Sequence, residues 1–89
     1  EARVLYGIGL AHSDTGQYLT ALESYIQALS LYRQTGDRSG EADILANIGI
    51  AYSNTGESQK ALENHTRALS LYRQTGDRNG EAATLTNIG

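Results

Sequence analysis

The chain has 89 residues, with 7 basic and 10 acidic side chains, a net charge of −3, no Cys and no Pro. That length holds one small domain with a thin margin of buried surface, and it excludes disulfides and thiolate metal sites. The charges are interspersed, which argues against nucleic acid and anionic membrane as partners, and no apolar run approaches the ~18 residues of a spanning helix.

In chain order, residues 1–14 predict a first helix, with Leu5, Ile8 and Ala11 at helical spacing. Thr15-Gly16 turns the chain into a second helix, whose apolar residues are Ala21, Leu22, Tyr25, Ala28, Leu29 and Tyr32. Arg33 lies in its last turn, where the helix dipole favours a cation. Gly36 then suits a left-handed C-terminal residue, and Asp37 suits the N-cap of the next helix. The third helix, over 38–54, carries two neighbouring stripes, Leu45-Ile48-Tyr52 and Ile44-Ile48-Ala51. A helix apolar on two sides is expected to be sandwiched between neighbours. Thr55-Gly56 is the next turn. A fourth helix over 57–74 presents Ala61, Leu62, His65, Ala68, Leu69 and Tyr72, with Glu63 and Arg67 at i, i+4 in the favourable order. Arg73, Gly76 and Asp77 repeat the earlier junction, and 81–89 begins a short fifth helix.

The pattern recurs because the sequence recurs. Residues 1–40 and 41–80 are identical at 24 positions without a gap, and 81–89 matches 41–49 at 6 of 9. A 40-residue period marks stacked units, each burying its apolar face against its neighbours. The chain reads as two repeats, 1–40 and 41–80, and the start of a third, 81–89. The fold class expected is all-α, a solenoid of antiparallel helix hairpins. The chain begins at Glu1 rather than Met and reads as a segment of a longer array. Gly9 and Gly49 sit inside helices, where Gly costs about 1 kcal/mol relative to Ala. Close approach of the paired helix, at the small residues Ala21 and Ala61, is the expected reason.

These residues resemble the tetratricopeptide repeat family. The family's pattern is matched by Leu45, Ile48-Gly49, Tyr52, Ala61, His65 and Ala68, and in the first copy by Leu5, Ile8-Gly9, His12, Ala21, Tyr25 and Ala28. The common period is 34 residues, so the 40 here is a departure. Arg33 and Arg73 replace the usual Pro. Longer repeats with a GDR junction resemble the kinesin-light-chain-like and Pins-like subgroups. The resemblance implies a right-handed superhelix that binds extended or helical peptides on a concave surface lined by the first helix of each hairpin. That surface would include Arg3, Tyr6, Leu10, Ser13 and Asp14, then Asp43, Asn47, Ile50, Ser53 and Asn54, then Ala83, Thr86 and Asn87. In those subgroups an Asn before the Leu-Gly bonds the ligand backbone. Asn47 and Asn87 match it and Gly7 does not; a solvated or helix-bonded side chain is the alternative reading. The basic clamp for a C-terminal carboxylate is missing, since only Arg3 is basic on this face.

The expected function is therefore a protein–protein interaction scaffold for a protein or peptide partner. No catalytic residues are expected: the serines lack a nearby His–acid pattern and the glycines form no phosphate loop. No cofactor or metal is expected either; His12 and His65 are read as packing or partly exposed residues. RNA reading is disfavoured by the absence of a basic groove. The alternative is a self-assembling or spacer segment within a larger protein. Uncapped repeat ends would expose Val4, Ile8 and Ala11 at one end and Leu85 and Ile88 at the other, which favours self-association. The expected compartment is the cytoplasm.

Overall fold

The computed structural model describes residues 1–88 as five helices: α1 (Ala2–Asp14), α2 (Tyr18–Thr35), α3 (Arg38–Asn54), α4 (Ser58–Thr75) and α5 (Arg78–Ile88). Each helix packs on the next, α1 on α2, α2 on α3, α3 on α4 and α4 on α5, as a stack of helical hairpins. No strand occurs among the described residues.

The helices break at four glycines. Gly16, Gly36, Gly56 and Gly76 all have positive φ, between 71° and 84°. The longer junction is built twice with one geometry. The amide N–H groups of Asp37 and Asp77 donate to the carbonyls of Tyr32 and Tyr72 at 3.0 and 2.9 Å, closing the ends of α2 and α4. The Oδ1 atoms of Asp37 and Asp77 then accept from the N–H of Gly40 and Gly80, both at 2.9 Å, capping α3 and α5. Arg33 and Arg73 reach across to Glu41 and Glu81 at 3.1 and 2.9 Å. These ion pairs are largely exposed and contribute little; the caps and left-handed turns define the corner.

The core lies between the helices of successive hairpins. Ala21, Leu22, Tyr25, Ala28 and Tyr32 of α2 close on Ile44, Ile48 and Ala51 of α3. A second cluster joins Ala42 and Leu45 of α3 to Ala68 and Tyr72 of α4, with Leu29 touching both. Both stripes of α3 are thus buried, as a sandwiched helix requires.

Two expectations need correction. Gly9 and Gly49 do allow close approach, but the group they admit is a ring rather than an alanine. A Cβ on Gly9 would collide with Tyr25, and one on Gly49 would come within 2.6 Å of His65. Gly40 and Gly80 do the same for Tyr32 and Tyr72, a role the sequence reading did not assign. Leu62, expected in the stripe of α4, is 50% exposed, whereas its counterpart Leu22 is 5% exposed. Ile44, Ile48 and Ala51 share a cluster with Leu22, while Thr84 and Ile88 occupy the corresponding places of α5. Only Ile88 joins Leu62 in lining a recess. Ile8 and Ala11 are exposed, as expected of that stripe, with no described helix packed over it.

Candidate functional site: the face of the first helices

The α1 and α3 helices lie one hairpin apart and are joined by polar contacts. The Nδ2 of Asn47 donates to the hydroxyl of Tyr6 at 2.6 Å and to the backbone carbonyl of Asp43 at 2.9 Å. The hydroxyl of Tyr72, from α4, donates to Oδ1 of Asp43 at 2.5 Å. Tyr6 also packs edge-to-face on Tyr25, with ring centroids 6.2 Å apart. Tyr6 of α1, Tyr32 of α2 and Tyr72 of α4 thus converge on the first half of α3, Tyr32 lying against Gly40.

Beside them lies a groove of about 400 Å³ lined by Arg3, Tyr6, Tyr32, Asp37, Ser39, Gly40 and Asp43. Burial, reinforced by the Asp43 carboxylate, raises the pKa of Tyr6 and of Tyr72 above the ordinary phenol value. Both hydroxyls stay protonated at neutral pH; that of Tyr72 donates to Asp43, and that of Tyr6 accepts from Asn47. The groove holds one cation, Arg3, against two carboxylates, and it is open to solvent. It offers positioned polar groups with aromatic walls, which suits recognition of a polypeptide segment. Among the described residues no group of His, Asp and Glu side chains is arranged to hold a metal ion, and no helix is long and apolar enough to cross a membrane.

Of the residues expected on this face, Arg3, Tyr6 and Asp43 meet in the groove, and Asn47 joins them through Tyr6. Ser53 and Asn87 meet elsewhere, at a smaller recess beside α4. Ser13 is half-buried against Tyr25, whose raised pKa reflects its burial, with the Ser13 hydroxyl acting in the opposite sense. Leu10, Asp14, Ile50, Asn54, Ala83 and Thr86 are exposed and line neither recess. Thr86 bonds its own helix, donating to the Ala82 carbonyl. Both alternatives for Asn47 meet in one side chain: it is helix-bonded and also reaches across the face. Tyr32, Ser39 and Gly40 were not foreseen as groove residues, nor Asp37 beyond its capping role. The signal was the duplicated junction itself, which carries Tyr32, Asp37 and Gly40 again as Tyr72, Asp77 and Gly80, though Ser39 is Asn79 in the second copy.

His12 lies half-buried, its Nδ1 2.7 Å from Oε1 of Gln17. His65 is 3% exposed, and burial lowers its pKa below 6.5. His65 is thus a packing residue and His12 a partly exposed one, the two readings expected of them.

A family model for the tetratricopeptide repeat matches residues 1–74. A search of curated proteins returned no match.

Proposed function

This chain belongs to the tetratricopeptide repeat family, and from that premise we propose that it is a protein–protein interaction scaffold that holds a partner's peptide segment along the α1–α3–α5 face. Segments 1–40 and 41–80 act as two repeats, and 81–89 as the opening of a third. The observation that carries the reading is the groove walled by Tyr6 and Tyr32, with Arg3 and Asp43 at its polar edge. Family membership supports a non-catalytic role.

The test is calorimetric titration of a peptide selected on the intact chain, compared with Asn47→Ala, Ile50→Ala and Tyr6→Ala. Loss of a hydrogen bond to a desolvated partner predicts weakening of about 1 kcal/mol or more for Asn47→Ala. Affinity unchanged by all three substitutions overturns the site. Tight RNA binding that falls steeply with salt overturns the partner class.

A second reading, association with another copy of this chain, is favoured by one comparison. Ile44 and Ile48 are 0% and 3% exposed beneath α2, whereas their equivalents Val4 and Ile8 are 57% and 43% exposed on α1. The α1 stripe is thus built to meet a helix like α2. The part of α4 around Leu62, with Leu85 of α5, is exposed and is the surface of a second molecule that this stripe would meet. Ile88, half-buried, completes that end. Sedimentation from micromolar to millimolar concentration should show a rising mass that Val4→Asp and Leu85→Asp each suppress; a monomer throughout refutes it.

A further inference from the structure

The two long junctions are nearly identical in sequence. Residues 28–41 and 68–81 agree at every position except one: Ser39 in the first copy is Asn79 in the second. The exchange leaves the geometry of the corner intact. In both copies the aspartate Oδ1 accepts from the glycine N–H three residues on, at 2.9 Å, and the arginine before the turn reaches the glutamate after it. What changes is the chemistry available there. Ser39 carries a hydroxyl, whereas Asn79 carries a carboxamide immediately before a glycine, and no other asparagine of the chain precedes one.

An Asn-Gly pair is prone to a reaction of its own. The glycine nitrogen loses its proton and attacks the asparagine Cγ, closing a cyclic imide and releasing the side-chain nitrogen as ammonia. Water then opens the imide. Cleavage at Cγ gives aspartate; cleavage at the main-chain carbonyl gives isoaspartate, whose main chain runs through Cγ and is one carbon longer. Glycine favours the attack because it has no Cβ to hinder the nitrogen and turns freely about φ. The structure accounts both for the presence of the pair and for its restraint. Position 80 requires glycine, since a Cβ there would collide with the ring of buried Tyr72. Asn79 is exposed, so water reaches it. The Gly80 nitrogen, however, is occupied: it donates its proton to Oδ1 of Asp77, within the first turn of α5. The attack requires that bond to break and that turn to open.

We infer that Asn79 is a deamidation site gated by the Asp77 cap, so that the second junction is open to a slow covalent change from which Ser39 exempts the first. The two products act differently. Aspartate at position 79 places a negative charge in the first turn of α5, where the helix dipole favours it. Isoaspartate lengthens the main chain between Asp77 and Gly80. Gly80 then cannot both lie against the Tyr72 ring and give its N–H to Asp77, and α5 is loosened from α4. This inference does not depend on what the scaffold binds.

The test is incubation of the intact chain in warm, mildly alkaline buffer. Mass spectrometry of the proteolytic fragment carrying residue 79 follows the gain of one mass unit, and chromatography separates the aspartyl from the isoaspartyl form. Asn79 should react ahead of Asn47, Asn54, Asn64 and Asn87. Asp77→Ala should speed the reaction roughly fivefold, the factor by which loss of an ordinary cap shifts an opening equilibrium. Asp77→Ser, which keeps a capping oxygen, should restore most of the protection. The first junction supplies the control: Asp37→Ala removes the equivalent cap there and should leave the rate at Asn79 nearly unchanged. Asn79→Ser should abolish the mass change at this position and retain the helical circular-dichroism spectrum. Reaction at Asn79 no faster than at the other asparagines overturns the site. An Asp77→Ala rate equal to wild type, or equal acceleration by Asp37→Ala, overturns the local gate. In urea the isolated isoaspartyl form should unfold at a lower midpoint than wild type, and Asn79→Asp should not; equal midpoints for the isoaspartyl form and Asn79→Asp overturn the loosening of α5.

Discussion

The hydroxyl of Tyr6 and the amide of Asn47, on helices one hairpin apart, meet at 2.6 Å. Asn47 is thereby held in place before any partner arrives, because its Nδ2 also reaches the Asp43 carbonyl one turn back. Tyr6→Phe removes the hydroxyl and keeps the ring contact with Tyr25. Loss of this part-buried bond should cost about 1 kcal/mol of stability. Urea denaturation reads the change as a lower midpoint at constant slope. An unchanged midpoint would mean that the bond is replaced by water at no cost.

The duplicated junction predicts a duplicated energy. Asp37→Ala and Asp77→Ala each remove a side-chain cap from a helix start, and each should cost about 1 kcal/mol. The two sites share no partner, so the double variant should lose close to the sum. A double variant no less stable than either single one would show that one junction frays in the native protein.

Glycines of the same chain should respond in opposite directions to alanine. At Gly40 the added Cβ meets the ring of Tyr32, which is buried and cannot swing away. Gly40→Ala should therefore destabilise by roughly 1–3 kcal/mol, the range for overpacking. At Gly7 nothing lies within 4 Å of the added atom, and Gly7→Ala should stabilise α1 by about 0.5–1 kcal/mol through helix propensity. Melting temperatures moving the same way at both positions would contradict the packing described for Tyr32.

Burial lowers the pKa of His65 in the folded protein below its value of 6.5 in the open chain. Between those two values the unfolded state binds a proton that the folded state does not, so stability rises with pH. Stability should be full above about pH 6.5 and fall as pH drops below it, levelling once the folded histidine also protonates. The residues lining its recess bring no charge to oppose this. His65→Tyr should remove that segment of the pH–stability curve. A wild-type curve identical to that of the variant between pH 4 and 7 would show that His65 titrates normally.

The order of the helices was legible in the sequence because its causes are local. Gly36 and Gly76 adopt left-handed backbone at little cost, Asp37 and Asp77 cap the following turn, and the apolar spacing of α3 marks it as covered on two sides. Each of these depends on residues within a turn or two, so a duplicated motif reports a duplicated corner. What the tertiary structure decided are contacts between residues about forty positions apart or across a helix pair. Sequence spacing could not tell that Gly9 and Gly49 face rings, that Tyr72 from α4 reaches Asp43, or that Asn47 is already held by Tyr6. Leu22 and Leu62 occupy one repeat position, yet one is buried and the other exposed, because burial depends on the neighbouring helix that covers the residue. His65 shows the same dependence: along its own helix it is a packing residue like Tyr25, and only the neighbouring helices leave its Nδ1 buried without a hydrogen-bond partner among the described residues.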